Sequence, residues 1–273
     1  MSDPFAAKVH AFRMLHASGC FVMPNPWDVG SARLLAQMGF SALATTSAGF
    51  AWTAGRPDNG VDLEMTLAHL TQLAGAVDLP VNADFEGGFA VDPDGVAANV
   101  TRAVATGVAG LSIEDSTGDT VAPLFERALA VDRIRAARAA IDASGSGVLL
   151  TARSEGFIVG RPDLAETTAR LAAFVEAGAD CVYAPGIHAT AEIAAVVAAA
   201  GSTPVNLLVH VPFITVSDAA ALGVRRISIG GALARVAWAG VLETAREIAQ
   251  RGSFTGLQLG APAADLNRRF GGV

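Results

Sequence analysis

One unit recurs along the chain: an amphipathic helical stretch, a glycine, a short apolar run, then a few polar residues. The helix ends are legible at Met38-Gly39-Phe40, Thr106-Gly107-Val108, Ala177-Gly178-Ala179 and Leu222-Gly223-Val224. A glycine just past a helix supplies the left-handed cap without a Cβ penalty. Pro80 and Pro204 stand directly before such runs, where an extended backbone suits them and no ladder donor is yet needed. The spacing predicts eight strand cores, at 21–23, 42–45, 81–83, 110–113, 148–151, 181–184, 205–209 and 226–229. They read as apolar nearly throughout, as expected of parallel strands covered on both faces. Eight such units close into an α/β fold of the (β/α)8 TIM-barrel type more readily than they open into a doubly wound sheet. No Gly-x-Gly-x-x-Gly follows the first strand to favour the latter. The 273 residues suit one barrel domain, with a core over about 20–250 and a C-terminal extension at 251–273.

Composition excludes several function classes. Hydrophobic residues make up 52% of the chain and charged residues 16%, enough for a large core. The mean hydropathy of +0.43 raises the question of a membrane. Gly, Pro and charges, however, interrupt every apolar run short of the ~18 residues a spanning helix needs. A net charge of −7 leaves no basic stripe to neutralise phosphates, so no nucleic-acid partner is expected. No charged segment followed by an apolar stretch opens the chain, and a cytoplasmic location is expected. Cys20 and Cys181 make neither a disulfide framework nor a metal knuckle, and both are expected at the bottom of the barrel. Ala-rich stretches such as 189–200 suggest closely packed helices, subunit contacts included.

Catalytic groups of a β/α barrel sit at the C-terminal ends of its strands. Reading only those positions isolates a small acidic set. Strand three ends Asp84-Phe85-Glu86-Gly87-Gly88, strand four Glu114-Asp115-Ser116, strand five Arg153-Ser154-Glu155. Asp84 and Glu86 are two apart, so an extended backbone points both to one side, and Glu114 completes a three-carboxylate cluster. Such a cluster repels itself unless a cation compensates or one member is protonated. All-oxygen ligands favour Mg²⁺, with Mn²⁺ as the alternative. Arg153 offers a guanidinium fork for a substrate carboxylate, or a salt bridge to Glu114 or Asp84. The small residues Ser47, Ala48 and Gly49 can present successive backbone N–H groups to an anion. The loop beyond carries Trp52, Arg56 and Asp58. Gly230-Gly231 reads as a tight turn rather than a phosphate site, His188 and His210 as structural, and Asn206, Tyr183 and Pro185 as pocket lining.

Asn25-Pro26-Trp27-Asp28 through Ser31-Ala32-Arg33, the Thr-Thr-Ser-Ala-Gly run, Asp84 to Gly88, Ile113-Glu114-Asp115 and Thr151-Ala152-Arg153 together resemble the isocitrate lyase/phosphoenolpyruvate mutase superfamily. The match runs in order from about 21 to 235. The resemblance implies a Mg²⁺ held by Asp84, with Glu86 and Glu114 acting largely through water. It also implies a pyruvyl unit bound by Ser47, Ala48, Gly49 and Arg153, and an eighth helix exchanged between subunits of a homodimer or tetramer. Asp58 falls near the family's loop acid, which makes Asp58, Glu114 and Arg153 the catalytic candidates. The implied activity is Mg²⁺-dependent C–C cleavage or decarboxylation of a small 2-oxo or 2-hydroxy carboxylate through an enolate-like intermediate. P–C chemistry and a non-catalytic 2-oxo-acid binding protein are the alternatives. Two departures stand out. The family's Lys-Lys/Arg-Cys-Gly-His loop is replaced by Ser116 to Pro123, without cysteine, lysine or asparagine, and Glu86 stands where relatives usually have Asp.

Overall fold

The computed structural model describes residues 3–271. Helix α1 (Pro4–Ala17) leads into β1 (Phe21–Met23), α2 (Val29–Gln37), β2 (Leu43–Ala44), α3 (Ser47–Thr53), α4 (Leu63–Ala76) and β3 (Val81–Asp84). The alternation continues through α5 (Pro93–Val104), β4 (Gly110–Glu114), α6 (Arg127–Ser144), β5 (Leu149–Arg153), α7 (Leu164–Glu176) and β6 (Cys181–Tyr183). Next come α8 (Thr190–Ala200), β7 (Val205–Leu208), α9 (Val216–Ala221), β8 (Arg226–Ser228) and α10 (Ala232–Arg251). A 3-10 turn at Thr255–Leu259 and α11 (Ala263–Phe270) follow. Every ladder is parallel, in the order β1-β8-β7-β6-β5-β4-β3-β2. Across the remaining seam Ala44 N–H donates to Pro24 O at 3.0 Å. The fold is a (β/α)8 barrel. Among the described residues, no helix is long and apolar enough to cross a membrane.

The expected strands are present, but their chemistry differs from a uniformly apolar reading. Along β3, β4 and β5 the outward residues Val81, Ala83, Leu111, Ile113, Leu150 and Ala152 are buried against the helices. The alternate residues Asn82, Asp84, Ser112, Glu114, Thr151 and Arg153 turn inward. Both faces are buried, yet the inner one is polar, because those side chains satisfy one another by hydrogen bonds. The bottom of the barrel is closed by α1, whose Phe12 and His16 are buried there. Gly110 makes room for that closure: a Cβ would lie 2.6 Å from the Phe12 ring and 2.7 Å from Asn82 Oδ1.

Aspartates end the loops that lead into four helices. Asp28, Asp62, Asp92 and Asp163 each accept the backbone N–H three residues on, and each such cap contributes about 1 kcal/mol. Asp28 and Ser31 form a full capping box. This gives the Asn25-to-Ser31 stretch a structural role, which Asn25 shares. Its Oδ1 accepts Ile229 N–H and Gly230 N–H, both at 2.9 Å, and its Nδ2 donates to Thr45 O at 2.8 Å. One side chain therefore ties the tops of β1, β2 and β8 together.

Candidate active site

The C-terminal ends of the strands enclose a cavity of about 270 Å³. Asp84, the last residue of β3, is held on one carboxylate oxygen by Ser47, through its amide at 3.0 Å and its hydroxyl at 2.8 Å. Its other oxygen takes Arg153 Nη1 at 2.6 Å. Arg153 ends β5 and spends its whole fork on acids. Nη2 reaches Glu114 Oε2 at 3.1 Å and Nε reaches Glu155 Oε1 at 2.9 Å. The Tyr183 ring lies 5.1 Å from its guanidinium carbon. Burial opposes the charge on Arg153, but Glu155, Glu114 and Asp84 outweigh it and hold its pKa well above the usual value. The salt-bridge reading of Arg153 is therefore observed, with three acids instead of one.

Five carboxyl groups surround this one arginine: Asp58, Asp84, Glu86, Glu114 and Glu155. Burial, then the charge of Asp84, raises the Asp58 pKa. Burial raises Glu114 well above the carboxylate range and also raises Glu155, although Arg153 pulls both down. Glu86 is pushed up to about 8 by burial and by Asp84 and Asp58.

Two sequence expectations need correction here. β3 stops at Asp84, and Glu86 has φ +46°, so extended alternation does not align the two acids. Glu86 instead faces a side pocket shared with Asn59, Glu114, Ser116 and Arg133. Among the described residues, no three His, Cys, Asp or Glu converge to hold a metal by themselves. Gly49 is the second correction. It does not line the cavity, and its amide is taken by Thr46 Oγ1 at 3.2 Å. A Cβ there would lie 2.7 Å from Thr46 Cγ2, so close packing requires the glycine. Ser47 and Ala48 do line the cavity.

The strained loop after β3 is tied at every carbonyl. Gly88 N–H donates to Phe85 O, and Glu114 N–H to Glu86 O at 3.0 Å. Asn99 Nδ2 donates to Gly88 O at 2.9 Å and to Phe89 O at 3.3 Å. Arg133 Nη2 donates to Gly87 O. Arg133 is itself buried over the Phe125 ring, at 3.9 Å, with its pKa lowered to about 10 by burial. Asp115 works outside the barrel: Oδ1 accepts Glu155 N–H at 2.8 Å and Oδ2 accepts Arg170 at 3.2 Å. It thereby fixes the loop that carries Glu155.

Asn206 lines the cavity as expected, but its partner was not expected. Its Oδ1 accepts Arg226 Nε at 2.8 Å, and its Nδ2 donates to Ser228 Oγ at 2.9 Å. Arg226 also donates to Thr151 Oγ1 at 3.1 Å and meets His16 Nε2 at 3.3 Å. Arg226 opens β8, so a reading confined to strand ends passes over it. Register explains its place: Glu114, Arg153, Tyr183, Asn206 and Arg226 pair successively across β4 to β8. A charged residue inside an otherwise apolar strand was the available signal. Gly230-Gly231 is a turn into α10, with the Gly230 amide held by Asn25. His188 and His210 pack ring against ring, 5.6 Å apart, outside the cavity. Cys20 and Cys181 do not line it either.

Fold and mouth define an acid-rich parallel β/α barrel. The profile of the phosphoenolpyruvate phosphomutase family matches residues 12–249. A candidate lyase/mutase from Burkholderia cenocepacia J2315 has a crystal structure with 47% identity and TM-score 0.95, over 98% of this chain and 97% of that one. Uncharacterised protein Rv1998c of Mycobacterium tuberculosis (strain ATCC 25618 / H37Rv) is 33% identical over 222 residues, 81% of each chain. Oxaloacetate acetylhydrolase, solved with its product oxalate, is 28% identical with TM-score 0.85, over 98% of this chain and 95% of that one. The chain belongs to the phosphoenolpyruvate phosphomutase family, within the isocitrate lyase/phosphoenolpyruvate mutase superfamily of lyases and mutases.

Proposed function

We propose that this protein is a Mg²⁺-dependent enzyme, with Mn²⁺ as a substitute ion, that cleaves a C–C bond in a small 2-oxo or 2-hydroxy carboxylate by lyase or decarboxylase chemistry. The observation that carries the reading is the charge imbalance at the mouth. Five acids face one arginine, four of them buried or half-buried, and among the described residues Glu86 Oε1 is buried without a partner. A hard divalent ion fits that all-oxygen set. Asp84 would hold it, with Glu86 and Glu114 acting through water. When bound, the ion supplies Lewis-acid stabilisation to an enolate-like oxygen. Ser47 and the Ala48 amide would orient the substrate carboxylate, and Arg153 would add a guanidinium donor beside it, once the ion draws Asp84 off the Ser47 and Arg153 donors that hold it. Asp58, with its raised pKa, takes up and returns the proton of the reacting group.

The residues 116–123 contain no lysine, asparagine or cysteine, which favours C–C chemistry with a proton donor other than a thiol over P–C chemistry. Product analysis tests the choice. Incubation with Mg²⁺ and a panel of 2-oxo and 2-hydroxy acids is expected to release a 2-oxo product or CO₂. Inorganic phosphate from phosphonopyruvate would support the P–C reading, and ion-dependent binding without turnover of any compound would support a binding protein. We also propose that the molecule is a cytoplasmic homo-oligomer assembled through α10. Only Ala234 and Glu247 of that helix are buried, and Val236, Val241 and Leu242 are exposed.

A further inference from the structure

We propose that the far end of the substrate is an uncharged alkyl group, so that the enzyme takes the lyase course on 2-oxo monocarboxylates and discriminates against dicarboxylates: the C3–C4 bond of a 4-hydroxy-2-oxo acid breaks to a pyruvate enolate and an alkyl aldehyde, the 4-hydroxyl proton passing to Asp58 and from it to the enolate carbon. This rests on the mouth being a 2-oxo-acid site. The cavity divides into two sectors. The acids come from the ends of β3 and β4 and from the segments that follow β2 and β5: Asp84, Glu114, Asp58 and Glu155. The sector over β5 to β7 is walled by Ile158, Val159, Pro185 and Leu208.

A second substrate carboxylate needs a cation, and the cavity has none free. Among the described residues its wall contains two cationic side chains, Arg153 and Arg226, and no histidine. Arg153 is committed to Glu114 and Glu155, and the arm that a bound ion would free from Asp84 goes to the first carboxylate. Arg226 is 2% exposed and its donors go to Asn206, Thr151 and His16 in the floor. A carboxylate placed against Pro185 and Leu208 would give up part of its hydration without gaining a cation, and the ionised acids nearby would repel it. An alkyl group there gains from leaving water.

The test compares two acids of the same shape, 2-oxoglutarate and 5-methyl-2-oxohexanoate, by calorimetric titration of the Mg²⁺-loaded protein, with pyruvate as reference. The alkyl acid is expected to bind about tenfold more tightly than 2-oxoglutarate, because the half-buried far carboxylate finds no cation. Ile158→Arg, at a site already 51% exposed, adds a cation to the apolar sector. It is expected to move the ratio toward 2-oxoglutarate by about tenfold through a charge-assisted pair. If pyruvate binds and 2-oxoglutarate matches or exceeds the alkyl acid in the wild type, the monocarboxylate inference is overturned while the 2-oxo-acid reading stands. If none of the three binds, both fall.

Discussion

The two halves of the barrel mouth are built on opposite principles. Over β3 to β5 the side chains are charged, strained and short of counter-charge: one arginine serves several acids, and Glu86 holds a left-handed backbone. Over β6 to β8 the interior is held by neutral partners. Among the described residues Arg226 has no carboxylate within reach, and it is engaged with Asn206, Thr151 and His16. The first half stores unfavourable electrostatics that a ligand can relieve. The second relieves its own, and so contributes to the fold. A barrel that segregates the two can change chemistry in one half without unravelling the other.

The sharpest way to break this contrast is Arg153→Lys. An ammonium cannot reach three carboxylates in three directions, so activity is expected to fall about 10²–10³-fold. Thermal unfolding should move little. Loss of the fold instead of activity would mean that the acidic half is structural.

The mirror experiment is Arg226→Met. Asn206 Oδ1 and Thr151 Oγ1 would lose a buried donor, and a loss of about 2–3 kcal/mol is expected in urea unfolding. Mg²⁺ affinity should persist. A variant of unchanged stability and lost metal binding would reverse the roles assigned to the halves.

Arg133→Met probes how strongly the charged half depends on its outer supports. Releasing Gly87 O should loosen the Glu86 turn and weaken Mg²⁺ affinity about 10–100-fold, as loss of an outer-shell partner does. Asn99→Leu should act in the same direction, through Gly88 O and Phe89 O. Affinity measured by titration separates this from a general loss of stability.

The contrast also explains what could be read from the sequence. Asp84, Glu114 and Arg153 were legible because a parallel barrel delivers strand ends to one rim. The alternation that aligns Glu86 with Asp84 in the sequence does not hold, since the strand ends two residues before Glu86 and its backbone turns over. Arg226 was missed because strand stagger brings the first residue of β8 into the row that contains the last residue of β5. Gly49 illustrates the opposite error: its smallness serves packing against Thr46 and Trp27, not an anion. The inward polar alternation was hidden because Asn, Ser and Thr in short strands are easily read as interruptions of an apolar run.

A smaller effect concerns pH. Burial holds His16 near pKa 3 and His69 near 4, both below their usual 6.5. Between those values and 6.5 the unfolded chain binds protons that the native one refuses. The share of stability owed to these two histidines is therefore complete above about 6.5 and lost as pH falls through that window, while the raised carboxyl of Glu86 acts in the opposite sense. Comparing variants at each pH isolates the histidine: the stability of the wild type relative to His69→Leu, whose Phe50 stacking partner remains, should fall between about pH 7.5 and 5 in urea unfolding. An unchanged difference would place the linkage elsewhere.

The central claim, that the acidic half is a metal-dependent carboxylate site organised on Asp84, is tested most directly by titrating oxalate into the wild type and Asp84→Ala, with and without Mg²⁺. Oxalate is expected to bind the wild type only when Mg²⁺ is present, and to bind Asp84→Ala under neither condition, while both proteins unfold at similar urea concentrations. Equal binding of oxalate without the ion, or retained ion-dependent binding in Asp84→Ala, would contradict the account.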